Sequence, residues 1–69
     1  MSESVARVTQ ISARSTESFE KAVQVGIDRA NKSLRNVSGA WVKSQKVEVE
    51  DGKVTAYQVI LEVTFVLDE

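Results

Sequence analysis

Residues 40–67 read AWVKSQKVEVEDGKVTAYQVILEVTFVL, two β-rich runs on either side of Asp51-Gly52. Asp-Gly between such runs is the strongest short-range hairpin signal, because the favoured two-residue turn needs positive φ at both central positions. Strands are therefore expected at 40–50 and 53–67, paired antiparallel. In the later strand the odd positions Tyr57, Val59, Leu61, Val63, Phe65 and Leu67 are all apolar, while the even ones include Gln58, Glu62 and Thr64. Successive strand side chains point to opposite faces, so the odd face must be the covered one.

The cover lies upstream. Phe19, Ala22, Val23, Gly26, Ile27, Ala30 and Leu34 recur at three- and four-residue steps and draw one apolar stripe along a helix. Ser15 or Thr16 is the expected cap, with Glu17 and Glu20 in the first turn and Arg29, Lys32 and Arg35 toward the far end, each sign where the helix dipole favours it. Gly26 lies on the stripe, where it costs about 1 kcal/mol relative to Ala, so a close helix-to-sheet contact is expected there. Residues 4–12, SVARVTQIS, supply a first strand on β-propensity. The fold class is thus α+β, in the order β-α-β-β: one domain over residues 1–69, with a three-stranded antiparallel sheet wrapped on one face by a single helix.

Composition narrows the chemistry. The 69 residues include no Cys, no His and no Pro, so disulfides, thiolate metal sites and imidazole acid-base pairs are excluded. Nine Lys/Arg against ten Asp/Glu, interleaved, give no long-range field for nucleic acid or an anionic membrane surface. No apolar run is long enough to span a membrane and no signal-peptide pattern opens the chain, so a cytoplasmic protein is expected. Carboxylates alone remain as acid-base groups, without a nucleophile or a glycine-rich phosphate cradle beside them, and an enzyme is not expected.

A regular hairpin ladder that starts from Glu50 opposite Lys53 places Gln45 opposite Gln58, Lys43 opposite Ile60 and Trp41 opposite Glu62, these last six side chains on the face away from the helix. Val47, Val49, Val54 and Ala56 are expected to join them, whereas Lys46 falls on the helix side. One helix cannot cover two faces, and closed symmetric homo-oligomers are the usual way to bury the second. A bulge in the strand before the turn would alter these faces.

The chain resembles the dodecin family, small flavin-binding proteins that assemble as hollow homododecamers. The resemblance covers nearly the whole length. It rests on Ser15-Thr16-Glu17-Ser18-Phe19, Ile27-Asp28-Arg29-Ala30, Tyr57-Gln58-Val59, Glu62-Val63-Thr64-Phe65 and the acidic end. It implies flavin, riboflavin or FMN, held between sheet faces, with a tryptophan stacking on the ring and a glutamine bonded to its polar edge. The glutamine corresponds to Gln58, but Gly39 stands at the stacking position and Trp41 lies two residues beyond, about 7 Å along the strand. Lys46 matches an arginine that many bacterial members associate with cofactor phosphate. Some relatives without the stacking tryptophan resemble calcium-binding dodecins.

The residues themselves leave alternatives open. Trp41 serves either to stack a small aromatic ligand or to pack a subunit interface. Gln45 and Gln58 either read a ring edge or satisfy neighbouring polar groups. Glu48, Glu50 and Asp51 carry oxygen donors without the spacing of a calcium loop, so no metal ligands are assigned. The leading expectation is a flavin-storage or flavin-buffering protein that assembles with itself, with Trp41, Gln58, Gln45 and Lys46 as candidate cofactor contacts. The alternative is a dodecin-like shell without flavin that binds calcium or another aromatic cofactor, such as a nucleotide.

Overall fold

The computed structural model describes residues 3–67 and runs β1 (Ala6–Ser15), α1 (Phe19–Ser33), β2 (Val37–Glu50) and β3 (Lys53–Val66). The three strands form one sheet in the order β1-β3-β2, with both pairings antiparallel. Asp51 (φ 51°) and Gly52 (φ 76°) take the positive φ values that the hairpin reading required. The acidic end, Asp68 and Glu69, lies outside the described residues.

β2 begins at Val37, three residues before the expected start, and two other boundaries differ from expectation for one shared physical reason. β1 does not stop at residue 12; its ladder with β3 continues through Ala13↔Val59 and Arg14↔Gln58 to Ser15↔Tyr57. Ser15 is therefore still strand, and the helix cap passes to Ser18, whose hydroxyl accepts the Lys21 N–H at 2.9 Å. The Ser15 hydroxyl instead accepts the Glu17 N–H at 2.9 Å and shapes the intervening turn. At the other end the helix closes at Ser33. Leu34, already extended, donates its N–H to the Ala30 carbonyl at 2.8 Å, and Arg35 falls beyond. Asn36, with φ 63°, turns the chain into β2.

The face that α1 buries is made of small residues: Ala22, Gly26 and Ala30, one helical turn apart. They allow a close approach to Ala13, Val59, Leu61 and Val63, which with Ala22 and Ala30 make the core, while Ile11, Phe19, Val23, Ile27, Leu34 and Val37 pack around it. A Cβ added to Gly26 would lie 2.8 Å from Leu61 Cδ1 and 3.1 Å from Ala13 Cβ, so the expected close contact is present and involves both β1 and β3. Phe19 meets Tyr57 edge to face, ring centroids 5.1 Å apart, at the helix entrance.

β2 stands largely outside this packing. Only Val37 joins the rim of the core, and residues 38–47 are exposed whichever face they point to. The molecule is correspondingly long and thin, 53 × 19 × 14 Å.

Gly26 gives the sharpest test of this packing. Gly26→Ala should fail to deliver the gain of about 1 kcal/mol that helix propensity alone would give, and Gly26→Val should lose about 2 kcal/mol by overpacking. Urea denaturation at fixed protein concentration measures both, and a stabilised Gly26→Ala would contradict the close approach.

Candidate functional site

Side chains on the face opposite α1 are set by two independent registers. On the β1 side, Gln10 lies opposite Glu62, Ser12 opposite Ile60 and Arg14 opposite Gln58. On the β2 side the ladder is irregular at three places. Starting from Glu50↔Lys53 and Val49↔Val54, an extra residue in β3, Thr55, shifts the pairing to Glu48↔Ala56, Val47↔Tyr57, Lys46↔Gln58, Gln45↔Val59 and Ser44↔Ile60. An extra residue in β2, Lys43, then shifts it back to Val42↔Leu61 and Trp41↔Glu62, and Ser38 is a third extra residue beyond Gly39↔Thr64.

This corrects the regular-ladder reading at its centre. Lys46, not Gln45, sits opposite Gln58; Ser44, not Lys43, sits opposite Ile60; and Gln45 and Val47 move to the helix-side register, opposite Val59 and Tyr57. Trp41 keeps its expected partner Glu62 because the two displacements cancel. The bare face is also less apolar than a regular ladder would make it, since Val47 leaves it, alternation carries Val49 and its partner Val54 to the same side as Val47, and Ala56 is fully buried. Arg14 and Glu48 flank β3 on this face and close over it, with Arg14 Nε and Nη2 donating to the Glu48 carboxylate at 2.8 and 3.1 Å. Glu48 of that forked pair stands directly opposite Ala56.

Next to it lies a hollow of about 290 Å³ lined by Ser44, Gln45, Lys46, Gln58 and Ile60. Gln58 is partly buried and donates Nε2–H to the Ser12 hydroxyl at 3.1 Å, which orients the amide and leaves it a second N–H and a carbonyl oxygen. Lys46 is the cross-strand partner of Gln58 in the β2–β3 ladder and lines the same hollow. Gln45 lines the hollow from the sheet edge. One level along the sheet, Lys43 reaches across to Gln10 Oε1 at 3.1 Å. Trp41 is 74% exposed, the most open large apolar side chain of the described residues, and nothing lies within 4 Å of a Cβ built on Gly39. Trp41 stands opposite Glu62, four residues along β3 from Gln58, roughly 13 Å along the strand.

The hollow can therefore offer amide hydrogen bonding and one positive charge, with an exposed indole farther along the same face. Among the described residues no three carboxylates gather as a cation site, and no helix is long and apolar enough to cross a membrane. Sequence reasoning missed Ser12, Ser44 and Arg14 as neighbours of Gln58. No local signal pairs β1 with β3, and Ser44-Gln45-Lys46 is polar throughout, without an alternation to reveal the bulge.

The Arg14 partner holds the Glu48 carboxylate below its usual pKa range, chiefly through the side-chain hydrogen bond, and Arg14 is raised in turn. A carboxylate lowered by folding contributes stability above its unfolded pKa and loses it as pH falls through the folded value. Thermal melts should accordingly show the wild type losing more on acidification from pH 7 to pH 3 than Glu48→Gln does, the difference being small because the pair is exposed. Parallel pH profiles for the two would contradict the pairing.

The family model described as Dodecin matches residues 5–68. A curated dodecin from Thermus thermophilus is 35% identical over 65 residues, covering 94% of this chain and 94% of that protein. Among solved structures, dodecin from Streptomyces davaonensis superposes with a TM-score of 0.91 at 35% identity, over 99% of this chain and 100% of that one. A Mycobacterium tuberculosis structure, described as a calcium-chelating immunodominant antigen, calcium dodecin, with a novel calcium-binding site, has a TM-score of 0.79 at 33% identity, covering 94% of this chain and 93% of that one.

Proposed function

The chain belongs to the dodecin family, and from that premise we propose that it binds flavin for storage or buffering as a hollow homododecamer, acting as a binding protein rather than an enzyme. The observation that carries this reading is the Lys46↔Gln58 pair over the hollow on the bare face of the sheet. The Gln58 amide, turned by Ser12, suits the alternating donors and acceptors of an isoalloxazine edge. Lys46 supplies charge for the phosphate of FMN, as a compact ammonium in place of a planar fork. Trp41 stacks on the ring or gates access to it.

The separation of Trp41 from Gln58 within one chain favours a ring lying between the bare faces of two copies, with stacking and edge contact drawn from different chains. The hydroxyls, amides and single ammonium around the hollow hold a ring without a proton relay, which suits storage better than turnover. Bulge-driven exchange of Gln45 for Lys46 leaves Gln45 a secondary contact at the rim. A second reading, a dodecin assembly that binds calcium, is favoured by Gly39 in place of the stacking residue and by the calcium-binding relative.

Titration of the purified assembly with riboflavin and FMN, followed by flavin fluorescence, tests the first reading. Both flavins should be quenched on binding. Gln58→Ala should weaken both about tenfold, the loss of about one buried hydrogen bond, while Lys46→Ala should weaken FMN and leave riboflavin nearly unchanged. An assembly of intact native mass that quenches neither flavin would overturn it, and a melting temperature raised by calcium alone would turn the assignment to the second reading.

A further inference from the structure

The row of residues that crosses the sheet at Gln58 carries a cation on either side. Arg14 of β1 and Lys46 of β2 are both cross-strand partners of Gln58, each about 4.8 Å from it at the backbone. Lys46 lines the hollow and Arg14 does not. The Arg14 guanidinium instead reaches past β3 to Glu48, with Nε and Nη2 donating to the carboxylate at 2.8 and 3.1 Å. Glu48 stands two residues along β2 from Lys46, on the same face and about 7 Å away at the backbone.

One carboxylate therefore answers to two cations. The hydrogen bond from Arg14 holds the Glu48 carboxyl below its usual range, and the charge of Lys46 lowers it as well. No carboxylate lines the hollow itself, so the anion that these cations meet comes from the next register, opposite Ala56. The Arg14–Glu48 pair is open to water, its side chains 53% and 38% exposed, and ion pairs so exposed are held weakly. A guanidinium fork does not distinguish carboxylate from phosphate by shape. A phosphate monoester takes the same two parallel N–H bonds, and it brings more negative charge and three acceptor oxygens.

We propose that Arg14 is a second contact for a ligand's phosphate, and that Glu48 is a resident competitor which holds it away from the hollow until a phosphate arrives. With a neutral ring in the hollow, Arg14 stays forked to Glu48. With a phosphate monoester, the guanidinium swings back toward Gln58, and Arg14 and Lys46 take the anion from both sides. Glu48 is then left in water, so the exchange strands no buried charge. Glu48 is thus a positioning residue that acts through Arg14 and sets selectivity: it offsets part of the preference for a phosphorylated over a neutral ring that two free cations would give. This deepens the reading of the hollow as a flavin site, and rests on it, by naming the residues that rank FMN against riboflavin.

The two flavins differ by the phosphate alone, so the ratio of their dissociation constants on the purified assembly reads the competition directly. Glu48→Gln should tighten FMN about tenfold and leave riboflavin within about twofold. Adding Arg14→Gln to it should remove the whole gain. Arg14→Gln by itself should weaken FMN about tenfold relative to riboflavin, because the second contact is lost and Glu48 is left to repel the phosphate. A Glu48→Gln assembly of native mass in which both flavins shift alike, or neither shifts, overturns the proposal. So does a gain that survives Arg14→Gln, or an Arg14→Gln protein with an unchanged ratio. Should the wild type bind neither flavin, the flavin reading falls and inorganic phosphate decides the competition alone. Phosphate should then raise the melting temperature of Glu48→Gln more than that of the wild type, and adding Arg14→Gln should cancel the difference. Equal shifts in all three would overturn the proposal on that arm too.

Discussion

One width governs this molecule. An α-helix with its side chains is about 10 Å across, and neighbouring strands lie about 4.8 Å apart, so a single helix covers two strands. Here α1 covers β1 and β3, and β2 is left beyond its reach. The small stripe Ala22, Gly26 and Ala30 sharpens the choice, because it draws the helix down between Ala13 and Leu61 instead of spreading it over the sheet. A fourteen-residue strand of β-rich composition is thereby exposed on both faces. Chains near this length have little core to spare, and a surface of that kind drives association.

What the bare face can do follows from what remains on it after the small core is closed. The forked Arg14–Glu48 pair closes one end, Trp41 stands open toward the other, and between them Gln58 and Lys46 flank the hollow. Amide, ammonium and indole are the elements of a site for a planar, polar-edged ring that carries an anion. Their spacing along the sheet is too long for one ring to meet all three in a single chain, so the proposed function ties binding to assembly.

The helix and the hairpin were legible in the sequence because each is written locally. Three- and four-residue steps from Phe19 to Leu34 can only be a helical stripe, and Asp51-Gly52 is a turn whose conformation few other pairs adopt so readily. The last three residues of β1 were not legible. Ala13, Arg14 and Ser15 have no strong strand propensity and are held extended by pairing with a strand more than forty residues away, which in turn moved the helix cap to Ser18. Gln58 was identified on its alternation and on the family resemblance, and Trp41 was paired correctly only because two irregularities cancel. The neighbours that decide the hollow's chemistry, Lys46 and Ser44 in place of Gln45 and Lys43, depend on those irregularities, and nothing in a polar run announces an extra residue.

Thr55 and Lys43 are supernumerary on opposite strands, and between them lies a stretch of β2, residues 44–48, whose inward and outward assignment is set by its two boundaries and not by its own composition. In lineages of this fold, drawing both supernumerary residues into a regular ladder would turn that stretch over as a block, pairing Gln45 with Gln58 in place of Lys46 while every residue in it stays the same. The side chains such a sheet presents can thus change through register set at a distance, and an alignment of residue against residue does not by itself tell which proteins of this fold present the same face.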